Sequence, residues 1–151
     1  MISIRPMTRT NDPAEAFVKD TWVRSLYDGV RPDATDRQLL TYLTSQGASC
    51  VRPYVLAVLA LPRSQVFIAG AEDDPQLLLG YVCAEPGRVH YVYVKKNLRR
   101  RGISDRLLTY ATNRLGPFKY TSTLTRAWTH DWARKLGLAY DPIIESERKS
   151  A

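Results

Sequence analysis

A chain of 151 residues with 44% hydrophobic content can enclose one ordinary core and is short for two, so a single domain over residues 1–151 is expected. Its composition excludes disorder and low complexity, and its longest apolar run, Val55 to Leu61, is far too short to span a bilayer. A formal charge of +7 and a pI near 9.6 imply affinity for an anion of some kind.

The opening MISIRPMTRTNDPAEAF is polar and lacks the apolar block of a signal peptide, which gives the expectation of a cytoplasmic protein. Cys50 and Cys83 lie far apart without metal-ligand spacing, so buried reduced thiols are expected, with neither a disulfide nor a metal site.

Ser3 to Met7 has the character of a short first strand. Asn11 or Asp12 can then cap a helix with Pro13 in its first turn, running to about Leu26 with Phe17, Val18, Thr21, Trp22 and Leu26 near one face. A break is expected at Tyr27-Asp28-Gly29-Val30-Arg31-Pro32. A second helix begins at Thr35 or Asp36, runs to about Ser45 and ends at Gly47. Tyr54 to Ala60 competes between helix and strand, and the alanines at 57 and 60 favour helix.

A hairpin follows, with Val66 to Ala69 and Leu77 to Ala84 as its strands and Glu72-Asp73-Asp74-Pro75 as its turn. Pro86-Gly87 turns the chain into the run VHYVYV, Val89 to Val94, whose β-branched and aromatic residues suit a strand within a sheet. From Ile103 the apolar positions Ile103, Leu107, Leu108, Ala111 and Leu115 recur with helical spacing. Gly116-Pro117 stops that helix. Lys119 to Thr125 reads as a strand, Ala127 to Leu136 as a short helix closed by Gly137, and Leu138 to Ile144 as a last strand before a charged tail, 145–151. An α+β architecture results, a mainly antiparallel mixed sheet flanked by helices.

Between the strand at Val94 and the helix at Ile103 lie Lys95, Lys96, Arg99, Arg100, Arg101 and Gly102. The first N–H groups of a helix lack carbonyl partners and carry partial positive charge, so such a junction binds phosphate. Glycine admits a close ligand oxygen, Ser104 adds a hydroxyl, and arginines match phosphate geometry. The same cluster also suits a nucleic-acid backbone, so nucleic acid stays open as a partner.

In order, Arg99-x-x-Gly102-x-Ser104 resembles the acetyl-coenzyme A signature of the GNAT acetyltransferases, Arg/Gln-x-x-Gly-x-Gly/Ala, with Ser104 as a departure at the last position. Val92-Tyr93-Val94 stands at the superfamily's Leu-x-Val strand end, and Leu107-Leu108 at its leucine pair. The resemblance covers nearly the whole chain and implies a GNAT-like acyl-CoA N-acyltransferase fold. It also implies transfer of an acetyl group to a primary amine of a small molecule or protein, by direct attack in a ternary complex.

Acetyl-CoA would be held by Val92, Tyr93, Val94, Arg99, Arg100, Arg101, Gly102, Ile103 and Ser104. The resemblance implies that the Val89 to Val94 strand splays from its neighbour, so that backbone groups near Val92 and Val94 bind pantetheine and one N–H polarises the thioester carbonyl.

By the period of two, His90 shares a strand face with Val92. A histidine at the equivalent position of aralkylamine acetyltransferases assists deprotonation, which makes His90 the candidate base, with a packed sheet histidine as its alternative. Arg88 stands where histone-type members place a glutamate and cannot serve.

The tyrosine that many members use as general acid is replaced by Ala133, leaving Tyr140, Tyr93 or water. Trp22, Tyr27 and Asp28 are candidates for acceptor contact, with core and turn as their plainer roles. Two other function classes stay open, a transferase acting on charged tRNA or a modified DNA base and a coenzyme-binding protein without catalysis. The protein is expected as a monomer or homodimer.

Overall fold

The computed structural model of the chain describes residues 2–8, 11–29, 51–74, 76–99, 101–122 and 138–140. Within them the order is β1 (Ile2–Pro6), α1 (Glu15–Gly29), α2 (Val51–Leu59), β2 (Gln65–Ala71), β3 (Leu78–Glu85), β4 (Arg88–Val94), a short 3-10 turn (Lys96–Leu98), α3 (Ile103–Leu115), β5 (Tyr120–Thr121) and β6 (Ala139–Tyr140). The strands form one sheet in sequence order. Neighbours from β1 to β4 are antiparallel, β2 to β4 because short turns reverse the chain and β1 to β2 across the intervening helices, whereas β4, β5 and β6 run parallel.

The sheet is buried on both faces, which is why β2 and β3 read as nearly continuous apolar runs. On one face Val66, Ile68, Tyr81, Cys83 and Tyr91 pack with Val18 and Trp22 of α1 and with Tyr54, Val55 and Val58 of α2. Across the sheet Phe67, Ala69, Val82, Ala84, Val89 and Val94 pack with Ile103, Leu107, Leu108 and Ala111 of α3. Those four α3 residues are among the five its helical spacing predicts, and the fifth, Leu115, is partly buried against the same cluster.

Val51–Leu59 is a helix, in agreement with its alanines. α1 continues through Tyr27 and Asp28 to Gly29, so the break expected at Tyr27 is not there and the glycine is the last residue of the helix. The sequence expectations for a helix at residues 35–45, for residues 123–137 including Ala133, and for the tail lie outside the described residues. Cys83 is a buried free thiol whose pKa burial pushes up to about 12. No helix among the described residues is long and apolar enough to cross a membrane.

The entry to α1 is fixed by Asp12, whose carboxylate accepts from the Ala14 and Thr8 N–H groups at 2.9 Å each and forms a bidentate pair with Arg5 at 2.8 and 3.0 Å. The Arg5 guanidinium and these N–H groups outweigh burial and hold the carboxyl well below the usual carboxylate range. Asp12→Ala should cost about 1 to 2 kcal/mol at neutral pH through the lost cap.

Because this carboxyl binds its proton more weakly folded than unfolded, its contribution is complete above the unfolded value of about 4 and declines as pH falls below it. Denaturant melts of both proteins at pH 7 and pH 3 should show the gap between them shrinking in acid, and a gap that widens would refute the assignment.

Candidate functional site

Two features of the backbone meet at one end of the sheet. The first is the outer edge of β4. Strand β5 pairs with it only at Arg88↔Tyr120 and Val89↔Thr121, and the Ser122 N–H donates to the Val89 carbonyl at 3.0 Å. From Tyr91 to Val94 no strand among the described residues lies on that side, so among them β4 runs on past the end of β5 and leaves a fork between its free edge and the β5 end.

The direction of the backbone groups there follows from antiparallel alternation. Lys95 N–H bonds the Leu79 carbonyl of β3 at 3.0 Å, which turns the N–H and C=O groups of Tyr93 and Tyr91 toward β3 as well. Those of Val92 and Val94 therefore point into the fork. Arg99 Nε donates to the Val94 carbonyl at 3.1 Å and so ties the basic loop to the strand end.

The second feature is the start of α3, reached from the end of β4 through the 3-10 turn. Gly102 is its N-cap at φ 78°, ψ 9°, a left-handed conformation, and no side chain caps the helix there. A Cβ at Gly102 would meet nothing within 4 Å, so the glycine is needed for its torsion and the space above it is open. Gly102 and Arg101 are exposed, Ser104 is half-buried, and Ile103 turns into the core. Arg106, also exposed, reaches the Ile2 carbonyl at 3.4 Å. Arg100 lies outside the described residues.

The structure brings together Val92, Val94, Arg99, Arg101, Gly102, Ile103 and Ser104, and treats the other candidates differently. Tyr93 has its backbone turned toward β3 and its ring on the α1 face, 5.8 Å from Phe17 and 5.5 Å from Tyr81. Trp22 is fully buried and stacked on Tyr91 at 5.2 Å, so it belongs to the core and has no surface for an acceptor. The side chains of Tyr27, Asp28 and Tyr140 are outside the described set, although Tyr140 itself pairs with Thr121 in β6.

His90 corrects the expectation of a shared face with Val92. The β3–β4 register runs Cys83↔Tyr91 and then Ala84↔Val89, leaving His90 as an extra residue in a bulge. Alternation slips by one residue there, and the ring reaches Glu85 and Ser122 on the α1 face, opposite Val92. It has no exposed surface. Burial holds its pKa below the ordinary histidine value, against the pull of Glu85. Ser122, a partner of this ring, has no signal in the sequence, since it lies 32 positions away and carries no motif.

No family model and no curated protein matches the sequence. Solved structures do match over nearly the whole chain. A Pyrococcus furiosus protein assigned as an acetyl transferase is similar with a TM-score of 0.60 at 16% identity, covering 95% of this chain and 97% of its own. A protein of Clostridium acetobutylicum predicted to be an acetyltransferase, solved with acetyl-CoA, gives 0.55 at 15% identity over 96% and 95% of the two chains. An aminoglycoside acetyltransferase from an uncultured soil metagenomic sample, solved with trehalose, gives 0.51 at 14% identity over 95% and 93%. The fold of this chain is the acyl-CoA N-acyltransferase fold of the GNAT acetyltransferases.

Proposed function

We propose that this chain is an acetyl-CoA-dependent N-acetyltransferase acting on a primary amine of a small molecule or protein. The observation that carries the proposal is the junction of an uncapped helix N-terminus at Gly102 with a strand whose Val92 and Val94 backbone groups face an open fork. An extended ligand with phosphates at one end and an amide-bearing arm suits both features. The Ile103 and Ser104 N–H groups and Arg101 would hold the pyrophosphate, and the Val92 and Val94 edge would hold the arm. When bound, acetyl-CoA supplies an acetyl thioester as the acyl donor.

The chain's own contribution is then chiefly positioning. Arg99 fixes the strand end through the Val94 carbonyl, and the sheet supplies a rigid edge against which the arm is oriented. A backbone N–H directed into the fork, that of Val92 or Val94, can stabilise the developing oxyanion. An amine acceptor agrees with the similarity to the aminoglycoside acetyltransferase. Acetyl-CoA turnover against a panel of small amines, peptides and aminoacyl-tRNA tests the proposal, and absence of acetyl-CoA binding would overturn it.

The basic loop separates this proposal from a nucleic-acid role. Changing Arg99, Arg100 and Arg101 together to Ala should weaken acetyl-CoA binding by about 10- to 30-fold, since exposed charge-assisted contacts are each worth about 1 kcal/mol or less after screening. Calorimetry at two salt concentrations checks it. Unchanged acetyl-CoA affinity, together with a flattened salt dependence of RNA or DNA binding, would favour nucleic acid as the loop's ligand.

A further inference from the structure

Three side chains, two from strands β3 and β4 and one just past the end of β5, meet beneath the fork. His90 Nδ1 lies 2.8 Å from Ser122 Oγ, and Nε2 lies 3.4 Å from Glu85 Oε1 without the alignment of a hydrogen bond. Glu85 ends β3, His90 is the bulged residue of β4, and Ser122 follows the last residue of β5. Ser122 is thus tied to β4 twice, by its N–H to the Val89 carbonyl and by its hydroxyl to His90. They lie just beyond the last described β4–β5 pair, Val89↔Thr121.

We infer that Glu85, His90 and Ser122 form a latch that fixes the end of β5 against β4, and so positions the Val92–Val94 edge beyond it for the thioester arm. The inference rests on the acetyl-CoA reading of the fork. It makes all three positioning residues, acting through the backbone they hold.

The charges around the ring agree with a fixed, neutral imidazole. Glu85 is kept ionised by the His90 ring beside it and by Arg88 and Arg63, against its partial burial. Its carboxylate draws the ring proton to Nε2, which leaves Nδ1 to accept from the Ser122 hydroxyl. Arg88, also acting on the ring, opposes a second proton there.

Two other roles fit the geometry less well. A histidine standing between a serine and an acid has the arrangement of a nucleophilic triad, but the Ser122 side chain is fully buried and offers no acyl group an approach. A general base needs a path to its substrate, and the His90 ring is enclosed on every side.

A double-mutant cycle on the full chain tests the latch. Ser122→Ala and His90→Gln should each raise KM for acetyl-CoA about tenfold, leave the acceptor KM unchanged, and show no recovery at high pH. The two changes together should cost no more than either alone, because they break one contact. His90→Asn, whose amide can occupy the Nδ1 position, should restore most of the affinity. Additive losses, or recovery of His90→Gln at high pH, would overturn the latch; the second result would make His90 a base.

Should the variants not fold, imidazole 15N shifts of the wild type decide the matter. A neutral Nε2–H tautomer unchanged between about pH 5.5 and 8.5 supports the latch, and a titration in that range overturns it. A wild type that fails to bind acetyl-CoA overturns the coenzyme reading and the latch's purpose with it. A wild type that binds beside a Ser122→Ala variant of equal affinity overturns the latch alone.

Discussion

Gly102→Asp should leave the fold intact and weaken acetyl-CoA binding by about 10²- to 10³-fold, the cost of setting a like charge against a phosphate site. The torsion at Gly102 is φ 78°, and a Cβ there meets nothing within 4 Å, so a side chain is accommodated at the cost of the left-handed conformation alone, about 1 to 2 kcal/mol. Aspartate is among the residues that tolerate this region best.

Its carboxylate would stand beside the first N–H groups of α3, which no side chain of the wild type caps, and would accept from them itself. The site would be filled from within and made repulsive to phosphate at once. Gly102→Ala is the control, since it imposes at least the torsional cost of aspartate without the charge and should lose only about tenfold or less. Calorimetry with acetyl-CoA, read beside a thermal melt by circular dichroism, measures both effects. Equal affinity in the folded Asp variant would remove the coenzyme site from this helix.

Much of this junction was legible because its signals are local. The helix of α3 follows from a spacing that places Ile103, Leu107, Leu108 and Ala111 on one face, and all four are buried. The cap at Asp12 and the turn at Pro86-Gly87 are likewise written in the residues that perform them.

What escaped the sequence depends on how distant segments meet. A bulge is a mismatch of register between two strands and leaves no mark on the composition of either, so the period of two carried His90 to the wrong face. The same holds for Ser122, whose role exists only because β5 returns beside β4. Trp22 illustrates a different limit. Its position on a helix near an expected site suits acceptor contact or core equally, and only the Tyr91 ring stacked against it decides for core.

Gly80→Ala should be among the most damaging single changes to stability, and for a reason unrelated to glycine's torsional freedom. Gly80 lies opposite Val94 in the β3–β4 ladder, and a Cβ built on it would come 2.4 Å from the Tyr93 carbonyl oxygen and 3.2 Å from the Val94 Cα. Both are backbone atoms, which cannot rotate aside as the end of a side chain would. The Tyr93–Val94 peptide would have to move outward, straining the pairing of Lys95 N–H with the Leu79 carbonyl and displacing the edge that faces the fork.

Overpacking of this kind costs about 3 kcal/mol at the top of its usual range, which corresponds to roughly 6 to 12 °C in Tm for a chain of this size. Cofactor affinity should fall with it in whatever fraction remains folded, because the Val92 and Val94 groups are carried by the displaced segment. A scan showing Tm within about 2 °C of the wild type would mean that β4 yields easily at Val94, and that the fork edge is softer than the rigid support proposed for the thioester arm.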